Sequence, residues 1–157
     1  MDIYKMPGHL IRRLNQISVA LFSERMAEGG LTLTPVQFAA LVGIHAHPGI
    51  DQATLAGLVA YDRATLGKVI DRLESRALLC RATSPRDRRA KTLTLTDAGR
   101  ALLEEAGPHV EAVQPDILAG LNKTERGVFL NLLSKITMAG NEHSRAPLKA
   151  PGDKSSL

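Results

Sequence analysis

Five basic residues crowd into one stretch of this chain. Between Ala77 and Thr96 stand Arg81, Arg86, Arg88, Arg89 and Lys91, with Asp87 as the sole acid. Cationic side chains at this density suit a polyanion partner. A solvated hairpin turn with mutual salt bridges is the plain alternative, and charge alone does not separate the two. From Asp97 to His143 the balance reverses, with four basic residues against seven acids. A second group lies near the N-terminus. His9, Arg13 and Gln16 recur at i, i+4, i+7 and flank an apolar stripe, where an arginine can take a carboxylate bidentately. Phe38 can pack on a ring, and His45 and His47 end a helix nearby. The bland readings are that Arg12 and Arg13 pair with acids across an interface, and that the two histidines are cations facing a helix dipole.

Other chemistries find little support. The chain has one cysteine, Cys80, so no disulfide framework or CxxC metal site can form within it. Cys80 neighbours Arg81, which can lower a thiol pKa at an exposed site, but a lone strand cysteine is more often a small core residue. His45 and His47 stand at i, i+2 and point apart on a helix, so no metal site is expected, nor any cofactor. There is no Gly-rich phosphate loop, nucleophile elbow or Ser-His-Asp grouping, which argues against an enzyme. No apolar run approaches the roughly 20 residues of a membrane span, and no signal-peptide pattern is visible. A reducing cytoplasm is the expected setting.

The elements that must position these residues follow from periodicity. Trp is absent, and Phe and Tyr are few, so Leu, Ile, Val and Ala must build the core. Leu10, Leu14, Ile17 and Leu21 form one stripe of a helix running from after Pro7-Gly8 to about Glu28, ended by Gly29-Gly30. Thr34-Pro35-Val36-Gln37 is a capping box opening a second helix, with Phe38, Leu41 and Val42 inward and a stop near His47. Asp51 caps a short helix. Asp62 caps another, from Arg63 to about Ala77, with Leu66, Val69, Ile70 and Leu73 inward. Two helices joined by so short a turn have helix-turn-helix spacing.

Leu79 to Ser84 reads as a strand, and Lys91 to Thr96 alternates as a second. The basic turn lies between them, so the pair forms a wing. Asp97 opens a further helix that Pro108 and Pro115 should bend or break. Asn122 to Glu125 is a capping box for the last helix, which carries Val128, Phe129, Leu132, Leu133 and Ile136. Residues from Arg145 to Leu157 read as a disordered tail. The fold expected is mainly α with a small β-hairpin wing. A recognition helix in a major groove would present Arg63, Ala64, Thr65, Gly67, Lys68 and Arg72, and the wing Arg86, Asp87, Arg88 and Arg89. An ordinary solvated helix face is the alternative for the first set.

Three blocks carry a resemblance. Asp62-Arg63-Ala64-Thr65-Leu66 through Asp71-Arg72-Leu73-Glu74, then Asp87-Arg88-Arg89-Ala90-Lys91, then Leu95-Thr96-Asp97-Ala98-Gly99-Arg100 are similar to the MarR family signature. The likeness runs from about His9 to Ile136. It implies a winged helix-turn-helix flanked by N- and C-terminal dimerisation helices: 1–33 an arm and dimerisation helix, 34–100 the DNA-binding lobe, 101–143 dimerisation helices, 144–157 a tail. It implies a homodimer on a pseudo-palindromic operator, a repressor more than an activator. Ala77 departs from the family, which has glycine at the exit of the recognition helix, and Cys80 stands where an apolar residue is common.

The resemblance also implies release by small aromatic acids, with His9, Arg13, Gln16, Phe38, His45 and His47 as candidate ligand residues. The run Pro7-Gly8-His9-Leu10-Ile11-Arg12-Arg13-Leu14 looks like a subgroup controlling aromatic-acid catabolism, which makes 6-hydroxynicotinate a candidate effector. A winged-helix interaction module, or a redox-responsive regulator through Cys80, are the rival readings.

Overall fold

Local caps set the helix starts. The computed structural model describes residues 2–83 and 91–149. In it the Thr34 hydroxyl accepts from the Gln37 N–H while the Gln37 side chain accepts from the Thr34 N–H, opening α2 (Pro35–Ala46). Asn122 and Glu125 make the same reciprocal pair at α6 (Lys123–Ala139). Asp51 and Asp62 cap α3 (Gln52–Leu58) and α4 (Arg63–Ser75). Thr96 caps α5 (Asp97–Ile117). Each side chain satisfies an N–H that the first helical turn leaves unpaired. Before these comes α1 (Pro7–Glu28), with Pro7 in its first turn.

The ends are as regular. α1 closes through Gly30, at φ +69°, with Gly30 N–H bonded to the Ala27 carbonyl and Leu31 N–H to that of Met26. α4 closes in the same paired pattern, Ala77 to Glu74 and Leu78 to Leu73. Here the left-handed residue is alanine, at φ +56°. An L side chain in that region is strained by roughly 1–2 kcal/mol. Ala77→Gly is expected to raise stability by about 0.5–1 kcal/mol, net of the extra freedom glycine brings to the unfolded chain. A thermal melt a few degrees higher checks this, and a lower one overturns it.

Three strands form one antiparallel sheet in the order β1-β3-β2. β2 (Leu79–Thr83) pairs with β3 (Lys91–Leu95), Leu79 opposite Leu95 and Thr83 opposite Lys91. β1 is only Ile50–Asp51, joined to β3 at Leu93 and Thr92. Leu93 and Leu95 both face the core, as their alternation predicts. The sheet closes a core whose fully buried members include Leu41, Ile44, Leu55, Leu66, Ile70 and Leu73. α1 and α5 pack along each other beside it, burying Phe22, Met26, Ala106 and Val113. Together these make a lobe of α2–α4 and sheet, from which α5 leads away and α6 returns.

Several expectations are corrected. α5 runs unbroken through Pro108 and Pro115. Each proline removes one helical N–H, but burial of Ala106 and Val113 and packing along α1 hold the helix on both sides of Pro108. Val42 is 41% exposed rather than inward, because Leu41 and Ile44 take the core face. Cys80 is exposed, not a core residue, and its sulfur lies 3.0 Å from Thr94 Oγ1 across the ladder. The recognition helix ends at Ser75, two residues short of Ala77. Residues 145–149, read as tail, are bonded to the rest of the chain through Lys149 N–H and the Gly57 carbonyl, 2.9 Å apart. No described helix is long and apolar enough to cross a membrane.

Candidate nucleic-acid interface and effector site

The helix-turn-helix is α3 and α4, joined by a turn in which Ala60 takes φ +52°. Core leucines and isoleucine fix one face of α4, so the opposite face is set as well. Ala64, Lys68 and Arg72 stand at i, i+4 and i+8 and are exposed, as are Arg63 and Thr65 at the N-terminal edge. Five of the six candidates on this helix therefore reach solvent. Gly67 is half-buried instead. A Cβ there would stand 3.2 Å from Gln52 Nε2, so its small size serves the packing of α3 on α4.

Thr65 has a narrower role than its type suggests. Its hydroxyl donates to Asp62 Oδ2 at 2.6 Å, and its N–H to Oδ1 at 2.8 Å. These bonds hold the Asp62 carboxyl below its ordinary pKa. A carboxylate favoured by the fold contributes above the unfolded range, near about 4, and fades as pH falls through the lowered value. The residue as a whole is still exposed.

The basic stretch divides in two. Arg81 is held by α4: its guanidinium lies 2.6 Å from both Asp71 and Glu74. Only 23% of that side chain is exposed. It does not belong to the cationic surface but fastens the base of the hairpin to the recognition helix. Asp71 and Glu74, at i, i+3 on α4 just ahead of a strand arginine, were the available signal, and charge counting alone missed it. Lys91 Nζ reaches Thr83 Oγ1 at 3.0 Å where the strands part. Arg86, Asp87, Arg88 and Arg89 lie outside the described residues.

The candidate ligand residues are more dispersed. His9 is half-buried, its ring edge-on to Tyr4 at 5.8 Å, and its buried Nε2 has no hydrogen-bond partner among the described residues. Arg13 and Gln16 are exposed on the same side of α1, but Gln16 Oε1 already accepts from Arg12 Nη1 at 2.8 Å. Phe38 packs on Phe22, with centroids 6.3 Å apart. Phe22 lies nine residues along α1 from Arg13, a rise of about 13 Å. His45 and His47 are exposed at the far end of α2. One chain thus brings His9, Arg13 and Gln16 to one helix side and leaves Phe38 and the histidines on another element.

Sequence reasoning missed a cavity of about 370 Å³ between α1, α5 and α6. Ile11, Leu14, Ile117, Phe129 and Leu133 line it, with Gln114 as a polar member. Asn15 and Ser18 complete its α1 wall, and none of the six candidate ligand residues lines it.

With this geometry in hand, the likenesses to known proteins are informative. Residues 33–91 match the family described as MarR. The chain is 33% identical over 135 residues to the HTH-type transcriptional repressor NicR of Pseudomonas putida, covering 86% of this chain and 84% of that one. Among solved structures, PcaV of Streptomyces coelicolor, a transcriptional regulator in complex with its natural ligand, superposes with a TM-score of 0.81 at 34% identity, over 89% of this chain and 97% of that one. Bordetella bronchiseptica BpsR, whose DNA binding is regulated by 6-hydroxynicotinic acid, gives 0.81 at 35%, over 87% and 96%.

Proposed function

Because this chain belongs to the MarR family of winged helix-turn-helix regulators, we propose that it is a cytoplasmic homodimeric repressor that a small aromatic carboxylate releases from its operator. DNA binding and transcriptional control come with the membership. The finer reading assigns residues 34–100 to the DNA-binding lobe and 1–33 with 101–143 to dimerisation.

The observation that carries the reading is the face of α4. Ala64, Lys68 and Arg72 are aligned and exposed on a helix fastened to a hairpin by Arg81. A small residue at the start lets the helix approach base edges, and the cations suit guanine or phosphate. Two such helices in a dimer would meet successive major grooves about 10 bp apart. The wing residues Arg86, Arg88 and Arg89, with Asp87 fixing a guanidinium among them, would hold the flanking minor grooves.

Support for the effector comes from His9, whose buried Nε2 lacks a partner among the described residues, and from Arg13 on the same helix side. Relatives that respond to ligands share about a third of their residues with this chain. A carboxylate at Arg13 would alter the angle between lobe and dimerisation helices. Coupling of roughly 1–3 kcal/mol, or 5- to 150-fold, is enough. 6-Hydroxynicotinate is the first compound to try.

The test is a gel shift on DNA upstream of the protein's own gene. Specific retardation is expected, with release by 6-hydroxynicotinate. Arg13→Ala should still bind and no longer release. Arg88→Ala with Arg89→Ala should lose binding while remaining dimeric. Retardation that no aromatic acid relieves overturns the effector, and absence of any specific retardation overturns the repressor.

A further inference from the structure

The end of α6 is tied back to the reading head. α5 leaves the lobe and α6 returns, so the residues after Ala139 arrive beside the α3–α4 turn. There Asn141 clasps the chain seven residues on: its Oδ1 accepts from Leu148 N–H at 2.8 Å, and its Nδ2 donates to the Leu148 carbonyl at 3.1 Å. Lys149 N–H then donates to the Gly57 carbonyl in the last turn of α3. Gly57 has no side chain to obstruct this. A Cβ there would stand 3.0 Å from Lys149 Cβ. Ala146 and Pro147 are half-buried against the turn.

This strap delivers charge. Arg145, Lys149 and Arg63 border one cavity of about 290 Å³ with Asp62 and Tyr61. All three cations are exposed, and among the described residues none forms a salt bridge. Asp62 is committed to Thr65. Arg145 is near enough to help lower the Asp62 carboxyl pKa, after the Thr65 bonds. Arg63 opens the recognition helix, so the cluster sits at its N-terminal flank.

We propose that the strap is a DNA-backbone contact: Arg145 and Lys149, with Arg63, take a phosphate beside the groove that α4 enters. This rests on the DNA-binding reading above and extends it to a segment outside the helix-turn-helix and wing. A phosphate contact positions the protein and carries no sequence information. Its signature is therefore a change in salt dependence that is equal on all duplexes.

The full chain and the pair Arg145→Gln, Lys149→Gln are compared on the upstream duplex and on a random duplex of equal length, from about 50 to 300 mM salt. Each phosphate contact contributes about 0.9 to the slope of log affinity against log salt, so a dimer losing two straps should lose about 2. Affinity near physiological salt should fall several-fold on both duplexes, with dimer mass unchanged. Asn141→Ala, which frees the clasp and keeps both charges, should show a smaller loss of the same kind. An unchanged slope beside normal wild-type binding overturns the strap contact and leaves the regulator intact. Tighter binding by the pair also overturns it, making the strap a cover. Wild-type protein that binds neither duplex overturns both readings together.

Discussion

Gly99→Ala is expected to unfold the DNA-binding lobe. A Cβ at this position would overlap the carbonyl oxygen of Leu78 and stand 2.9 Å from its carbon. Both are backbone atoms, and neither can swing aside. The Leu78 carbonyl accepts from Thr96 N–H at 3.2 Å, and the Thr96 hydroxyl donates to the Ala77 carbonyl at 2.7 Å. The start of α5 is thereby locked onto the exit of α4 with space for a hydrogen only. Forcing in a methyl must break this junction, so a loss above about 4 kcal/mol is expected. Gly127→Ala is the control. It lies inside α6, with no proline after it and nothing within 4 Å of its Cβ position. Helix propensity alone then predicts a gain of about 0.5–1 kcal/mol. Melts of opposite sign would establish the close approach, whereas a Gly99→Ala protein melting within about 2 °C of wild type would refute it.

Leu132→Asp should abolish tight DNA binding from a position far from any base. α6 buries none of its residues within one chain, and Val128, Leu130, Leu132 and Ile136 are each more than half exposed. Leu10, Ile11 and Ile17 of α1 are similarly bare. Judged by one chain, an aspartate at Leu132 displaces nothing and should be harmless. Judged as an interface between copies, it buries a charge in an apolar seam. The expected outcome is a halved mass in sedimentation. Operator affinity should fall about 10²-fold or more, because each half-site must then be held alone. An unchanged mass would mean that these helices face solvent or another partner.

What could be read in the chain depended on how locally it was encoded. The reciprocal caps at Thr34–Gln37 and Asn122–Glu125 involve residues three apart, and both formed as their types demanded. The alternation through Leu93 and Leu95 fixed the inward face of β3 in the same way. The exit at Ala77 was visible as an anomaly, and its left-handed backbone is the physical content of that anomaly. Contacts across the fold were not legible. Arg81 looked like one more cation for a polyanion, and only the packing of β2 on α4 brings Asp71 and Glu74 to it. Pro108 looked like a bend or a break, and the chain pattern does not reveal that α1 packs along the helix and keeps it continuous. β1 is two residues long, too short to carry a period. The candidate effector residues remain divided between α1 and α2 within one chain, because helical spacing orders residues along one element and not between two.

The bare flanks of α1 and α6 have a consequence for dosage. If their bare faces form the proposed dimer seam, these helices complete their burial only when a second copy arrives, and assembly and the last part of folding become one event. Mass action then enters stability: each tenfold dilution removes about 1.4 kcal/mol from the assembled state. The abundance of such a chain is itself a signal. On that reading, scarcity would vacate operators and leave the chains themselves less durable, with no small molecule involved.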